Sequence, residues 1–285
     1  KAASYERDGF ICDMGVHFNA LGEKGPLGTV ARKVSADLTF LNKNPMFRLI
    51  WDKKSCTMPV DVSGLFTLAK LGLTTGVKVK NYWLAFKIWN RLISPDTLAD
   101  VEPYNDISLK DFLYQYTDDR ELHNLIEIFC TLLMTTPMEE ASAGEFMWCF
   151  STAVKNASTA YPKGGFTEIC KSYMRTVEKN GGVVNLNESV KQIKVENNRA
   201  IGVETDKGVY PADIIISNAG VKNTIELAGE QQLGESFVKS NMQLKDSLSA
   251  VTIKYALDYK PTDIPVSLYC DKGFDFQDYY EAIRK

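Results

Sequence analysis

The chain has 285 residues, 45% of them hydrophobic and 24% charged, enough for a sizeable core and about two domains. Its net charge of −3 leaves no basic footprint for nucleic acid, and its two histidines, His17 and His123, exclude a metal site built on several imidazoles. Cys12, Cys56, Cys130, Cys149, Cys170 and Cys270 form no C-x-x-C pair or regular spacing, which argues against a disulfide framework or zinc site and for a reduced, cytosolic compartment.

Gly22, Gly25 and Gly28 do not have dinucleotide-turn spacing and follow no clear strand, so they are expected in a surface loop. A helical region should run from about residue 30 to 160. Within it, residues 46–51 and 55–59 flank Asp52-Lys53-Lys54 as a hairpin. Charge then segregates. Residues 62–95 carry Lys70, Lys78, Lys80, Lys87 and Arg91 and no acid, whereas 96–145 hold twelve acids against Lys110 and Arg120. In segment 78–93, Val79, Tyr82, Trp83, Phe86, Trp89 and Ile93 make an aromatic stripe, with Lys80, Lys87 and Arg91 on another face. Such a helix packs in a core or lies in a membrane interface. His123 sits in a helical apolar pattern as a structural residue.

After Gly164 and Gly165, which let the backbone turn tightly, Thr167 is placed to cap a helix. Phe166, Ile169, Cys170, Tyr173, Met174 and Val177 give that helix one apolar face, and Asn180-Gly181-Gly182 stops it. Residues 183–186 form a run suited to a buried parallel strand. Residues 190–196 and 200–206 should pair about a turn at Asn197-Asn198-Arg199. A further strand is expected over 209–216, wholly apolar at Ile214-Ile215-Ile216. Residues 251–257 alternate as a strand, with 266–270 as its partner across a proline-bounded loop. No apolar run approaches the roughly 20 residues of a spanning helix.

These segments resemble the FAD-dependent desaturases and amine oxidases, most closely the phytoene desaturase and carotenoid isomerase group. The resemblance rests on Tyr161-Pro162-Lys163-Gly164-Gly165, Glu178-Lys179-Asn180-Gly181-Gly182, Glu188-Ser189-Val190-Lys191-Gln192-Ile193, Ala200-Ile201-Gly202-Val203 and Ala212-Asp213-Ile214-Ile215-Ile216-Ser217-Asn218-Ala219. Near the N-terminus, Lys1-Ala2-Ala3-Ser4 and Gly9-Phe10-Ile11-Cys12-Asp13-Met14-Gly15-Val16-His17 are similar to the family's segment that runs along FAD toward the flavin ring.

The implied fold class is α/β with mixed α+β character. An incomplete FAD-binding Rossmann-like domain (1–29 and 160–228) would accompany a helical plus antiparallel-sheet substrate domain (30–159 and 229–285). The family's G-x-G-x-x-G turn is absent, so the resemblance implies a piece of a longer flavoenzyme, with part of the FAD site and inactive alone. It places Lys1 toward the FAD phosphates, Gly15 and Val16 near the flavin, Val190 at the adenine, and Ser217, Asn218 and Ala219 at a strand end facing the cofactor. His17 is the titratable candidate near the ring, and Asp13 is expected to order backbone amides. The implied activity is hydride transfer from an apolar, isoprenoid-like substrate to FAD, with peripheral membrane contact through segment 78–93. A flavin amine oxidase, or a non-catalytic module binding a lipid or partner protein, are the alternatives.

Overall fold

The computed structural model describes residues 3–15, 19, 21–43, 45, 47–58, 65–155, 159–244, 252–264 and 267–270. The chain divides into two compact units, Lys1–Lys179 with Leu248–Lys285, and Asn180–Ser247.

The first unit opens with an antiparallel hairpin of β1 (Ser4–Arg7) and β2 (Phe10–Asp13), in which Ser4 lies opposite Asp13. Its turn, Asp8-Gly9, has positive φ at both positions, the backbone a tight hairpin demands. The glycine cluster that follows is not an open loop. It forms a short 3₁₀ turn leading into α1 (Pro26–Lys33), and a Cβ on Gly28 would lie 2.2 Å from the Glu23 carbonyl oxygen. Only hydrogen at that position lets the turn fold onto the helix start.

β3 (Phe40–Lys43) is followed by the expected hairpin, β4 (Phe47–Trp51) and β5 (Lys54–Met58), whose turn is Asp52-Lys53. Alternation buries Phe47, Leu49 and Trp51 on one face of β4, with Cys56 and Met58 beside them on β5. Against this face lie the helices α2 (Leu65–Thr75), α3 (Tyr82–Ile93), α4 (Leu109–Tyr114), α5 (Arg120–Met134) and α6 (Ala143–Lys155), around one core that includes Leu71, Leu92, Phe112, Ile126 and Phe146. Capping sets two of the boundaries. Ser108 accepts from the Asp111 amide at 3.0 Å, and Asp119 accepts from the Leu122 amide at 3.1 Å. His123 is buried in α5 and donates from Nε2 to the Thr117 carbonyl at 2.9 Å, so it fastens the turn before the helix.

β6 (Thr159–Pro162) returns to pair antiparallel with β3, and α7 (Thr167–Lys179) follows. The buried face of α7 is rotated from the expected one. Ile169 and Ser172 are buried, whereas Cys170 and Val177 are exposed, and the half-buried Tyr173 donates its hydroxyl to the Leu27 carbonyl at 3.0 Å.

In the second unit β7 (Val190–Glu196) and β8 (Arg199–Thr205) form the expected hairpin, with Asn197 and Asn198 both at positive φ. Among the described residues only β9 (Val209–Pro211) extends the sheet. The longer strand expected to 216 stops there, and 183–186 is not a strand. Val183, Leu186, Ile214 and Ile216 are exposed, because no described strand lies beside them to supply a ladder partner. The α8 helix (Val221–Ala228) packs on β7, and α9 (Glu235–Met242) follows.

Back in the first unit, β10 (Ser267–Cys270) pairs parallel with β4, not with the segment before it. The described part of that segment, 252–257, forms no strand and is exposed. The pairing choice is nonlocal: the edge of β4 offers a free ladder beside a buried face. No helix among the described residues is long and apolar enough to cross a membrane.

Candidate functional site

The first feature is a latch at Asp13. Asp13 is 8% exposed as a residue, and its carboxylate accepts from three directions: the Ser4 hydroxyl at 2.5 Å, the Phe166 amide at 2.9 Å and the Tyr161 hydroxyl. Burial alone would raise the Asp13 pKa, but these hydrogen bonds outweigh it and hold the carboxyl below the usual range. Burial, together with the hydrogen bond to Asp13 and its charge, pushes the Tyr161 phenol well up. Asp13 thus orders a backbone amide, as its sequence context implies.

Ser4 completes the latch. Its hydroxyl accepts from the Thr167 amide at 3.0 Å, and its own amide donates to the Thr167 hydroxyl. The β1–β2 hairpin therefore caps the start of α7. Between them sits Gly165 at φ +88°, where a Cβ would lie 2.8 Å from Ile11 Cγ2 and 2.9 Å from Ser4 Oγ. Gly165 is needed here for the close approach of the hairpin's side chains to the backbone before α7. Sequence reading missed Ser4 and Tyr161 as partners. The Asp8-Gly9 dipeptide, a hairpin signal that fixes Ser4 opposite Asp13, was the available clue.

The second feature is an apolar cavity of about 450 Å³ between α2, α3 and α5, within the size range of small-molecule sites. Leu68, Gly72, Tyr82, Phe86, Trp89 and Leu125 contribute to its walls. Gly72 keeps α2 close to the Tyr82 ring, since a Cβ there would stand 3.1 Å from two ring carbons. Gly72→Ala should change stability by no more than about 1 kcal/mol, because better helix propensity offsets the crowding. It should still reduce uptake of the neutral fluorophore N-phenyl-1-naphthylamine, read by fluorescence titration.

The aromatic stripe of segment 78–93 is split by this cavity. Trp89 is buried, Tyr82, Phe86 and Ile93 are half-buried, and Val79 and Trp83 are exposed. Trp89 packs edge-on against Phe129 and Phe150, which fixes the cavity floor.

Of the residues singled out from sequence, Lys1, Val16 and His17 lie outside the described residues. Gly15 ends the described N-terminal segment at φ +96°, with no atom of the described residues within 4 Å of a would-be Cβ. Val190 opens β7 and is 39% exposed. Ser217, Asn218 and Ala219 are exposed immediately before Gly220, the N-cap of α8, and Ser217 Oγ lies 2.7 Å from Thr224 Oγ1. Val190 and Ser217–Ala219 share the second unit, where β7 packs on α8, while Gly15 and Asp13 belong to the first.

Comparison with known proteins adds two relatives and one similar solved structure. Over 63 residues, 22% of this chain and 13% of the relative, the chain is 38% identical to a 1-hydroxycarotenoid 3,4-desaturase of Flavobacterium sp. (strain P99-3). Over 187 residues, 63% of this chain and 29% of the relative, it is 29% identical to an all-trans-retinol 13,14-reductase of Danio rerio. The chain therefore spans less than a third of the length of either. A solved oxidoreductase from Methanosarcina mazei superposes with a TM-score of 0.66 at 20% identity, covering 86% of this chain and 57% of that one, which fixes the mixed α/β fold. Residues 1–225 match the sequence profile of the flavin containing amine oxidoreductases. With its glycine pair, Asp13 segment and β7–β8 hairpin all inside that match, the chain belongs to the flavin-containing amine oxidoreductase family.

Proposed function

We propose that the chain serves a FAD-dependent oxidoreductase that takes hydride from an apolar, isoprenoid-like substrate, as a desaturase, dehydrogenase or isomerase. The observation that carries this reading is the family match over residues 1–225, in a chain whose helical part encloses an apolar, aromatic-walled cavity. The carotenoid and retinol named for its two relatives agree with that cavity's chemistry.

In this reading 1–29 and 160–228 serve the cofactor, and 30–159 and 229–285 serve the substrate. Lys1 would meet the phosphates, Gly15 and Val16 the flavin, and Val190 the adenine. An exposed aliphatic side chain at a strand head suits an adenine face, and the exposed backbone at Ser217–Ala219, just ahead of a helix N-terminus, suits a polar part of a dinucleotide. Bound flavin would supply a hydride acceptor for a substrate C–H bond. The chain's own residues exclude water and hold the reacting carbon in place. His17 is the proposed titratable group beside the reaction.

The full-length protein should be yellow, with the absorption bands of bound flavin, and an apolar polyene added without oxygen should bleach them. A correctly folded, colourless full-length protein would refute the proposal.

A further inference from the structure

The apolar cavity between α2, α3 and α5 has two polar atoms built into its walls, the Tyr82 hydroxyl and Trp89 Nε1. Both are buried, and neither has a hydrogen-bond partner among the described residues. Buried polar groups are ordinarily paired, so each calls for a reason. Trp89 has one: it meets Phe129 and Phe150 edge-on, with ring centroids 6.3 and 5.0 Å away, and an indole N–H can rest on an aromatic face. That leaves the Tyr82 hydroxyl to be explained.

The Tyr82 phenol lies against Gly72 of α2, where a Cβ would stand 3.3 Å from its oxygen, in a cavity whose walls include Leu68, Phe86 and Leu125. A phenylalanine ring would pack there without leaving a hydroxyl unpaired. Burial also pushes the phenol pKa above its ordinary value, so the group keeps a proton to donate. We infer that Tyr82 determines specificity in this cavity, its hydroxyl donating to an oxygen atom carried by the ligand. The ligand class is then an apolar molecule with one oxygen-bearing end, an alcohol or a carbonyl compound, and not a pure hydrocarbon.

The position of Tyr82 also gives the ligand a direction. Tyr82 opens α3 beside Trp83, which is exposed, whereas Trp89, two turns further on, is 5% exposed. The oxygen-bearing end therefore stays at the outer end of the cavity, and the hydrocarbon body runs inward toward Trp89. In this conformation the hydroxyl is closed off, so pairing requires the half-buried ring to swing off Gly72 into the cavity that both residues line. As an account of the enzyme's substrate this rests on the proposed function. The binding selectivity itself does not.

The test is displacement of N-phenyl-1-naphthylamine from the full chain by farnesol, by farnesal and by the hydrocarbon in which hydrogen replaces the farnesol hydroxyl. Comparing parent with Tyr82→Phe cancels the different costs of taking the three compounds out of water. The variant should bind farnesol and farnesal about tenfold more weakly and the hydrocarbon within about twofold of the parent. With no compound added, Tyr82→Phe should unfold at the same denaturant concentration as the parent or a higher one, because it removes an unpaired buried group. Lower stability of the variant would mean that the hydroxyl is already paired and would overturn the inference. So would an equal change for all three compounds, no change for any, or a parent that binds none of them. A loss confined to farnesol would overturn it too, since the hydroxyl would then be accepting. Flavin colour is read separately, so a yellow full-length protein without this selectivity refutes the assignment of Tyr82 and leaves the proposed activity standing.

Discussion

Replacing Asp13 with alanine should destabilise the first unit by about 3–4 kcal/mol, measured by denaturant unfolding. The carboxylate accepts from the Ser4 hydroxyl, the Tyr161 hydroxyl and the Phe166 amide, and Phe166 is buried, so loss of the carboxylate leaves a buried N–H with no acceptor. A hydrogen bond to a charged group contributes about 1.5–3 kcal/mol, and the three share one anion, so their effects do not simply add. Hydrogen exchange at the Phe166 amide should speed up in parallel. Unchanged stability in the alanine variant would mean that the hairpin and α7 are not held through this group.

The same carboxylate predicts a pH dependence. Its folded pKa lies below the unfolded value of about 3.9, so its contribution is fully present above that pH and fades as pH falls through the folded pKa. Asp13→Asn keeps an oxygen for Phe166 but does not titrate. The parent should therefore lose more stability than the asparagine variant as pH falls below about 4. Parallel curves for the two proteins would contradict the depressed pKa.

The second large effect is expected at Gly165. Valine there should cost about 3 kcal/mol, combining the strain of positive φ with a Cβ placed 2.8 Å from Ile11 Cγ2, 2.9 Å from Ser4 Oγ and 3.2 Å from Asp13 Oδ1. The Ile11 side chain is exposed and free to move aside, but Ser4 and Asp13 are fixed by the latch, so their hydrogen bonds have to lengthen. Gly164 supplies the control. It has φ +96°, yet a Cβ there would meet Glu168 only at 3.6 Å, an ordinary contact. Gly164→Ala should therefore cost only the backbone strain of about 1–2 kcal/mol, and Gly165→Ala measurably more. Equal costs in thermal or denaturant unfolding would show that close approach of the hairpin is not what requires glycine at 165.

The parts of this protein that its sequence determined are those in which neighbouring residues settle the outcome. Asn197-Asn198 accept positive φ and are bounded by alternating strands, so the β7–β8 hairpin was legible, as was the β4–β5 hairpin around Asp52-Lys53. Asp13 and the glycine pair were legible as a motif, but their relation was not, because Ser4, Asp13, Phe166 and Thr167 meet only when segments about 160 residues apart are folded together. Pairing between distant strands was likewise beyond local pattern. β10 is a four-residue Ser-Leu-Tyr-Cys run that any exposed ladder could accept, and the tertiary structure gave it to β4. The aromatic stripe on α3 recorded that one face is apolar, and periodicity alone treats that face as uniform. The packing of α2 and α5 decided that Trp89 is buried while Trp83 faces solvent, because burial depends on which surfaces meet.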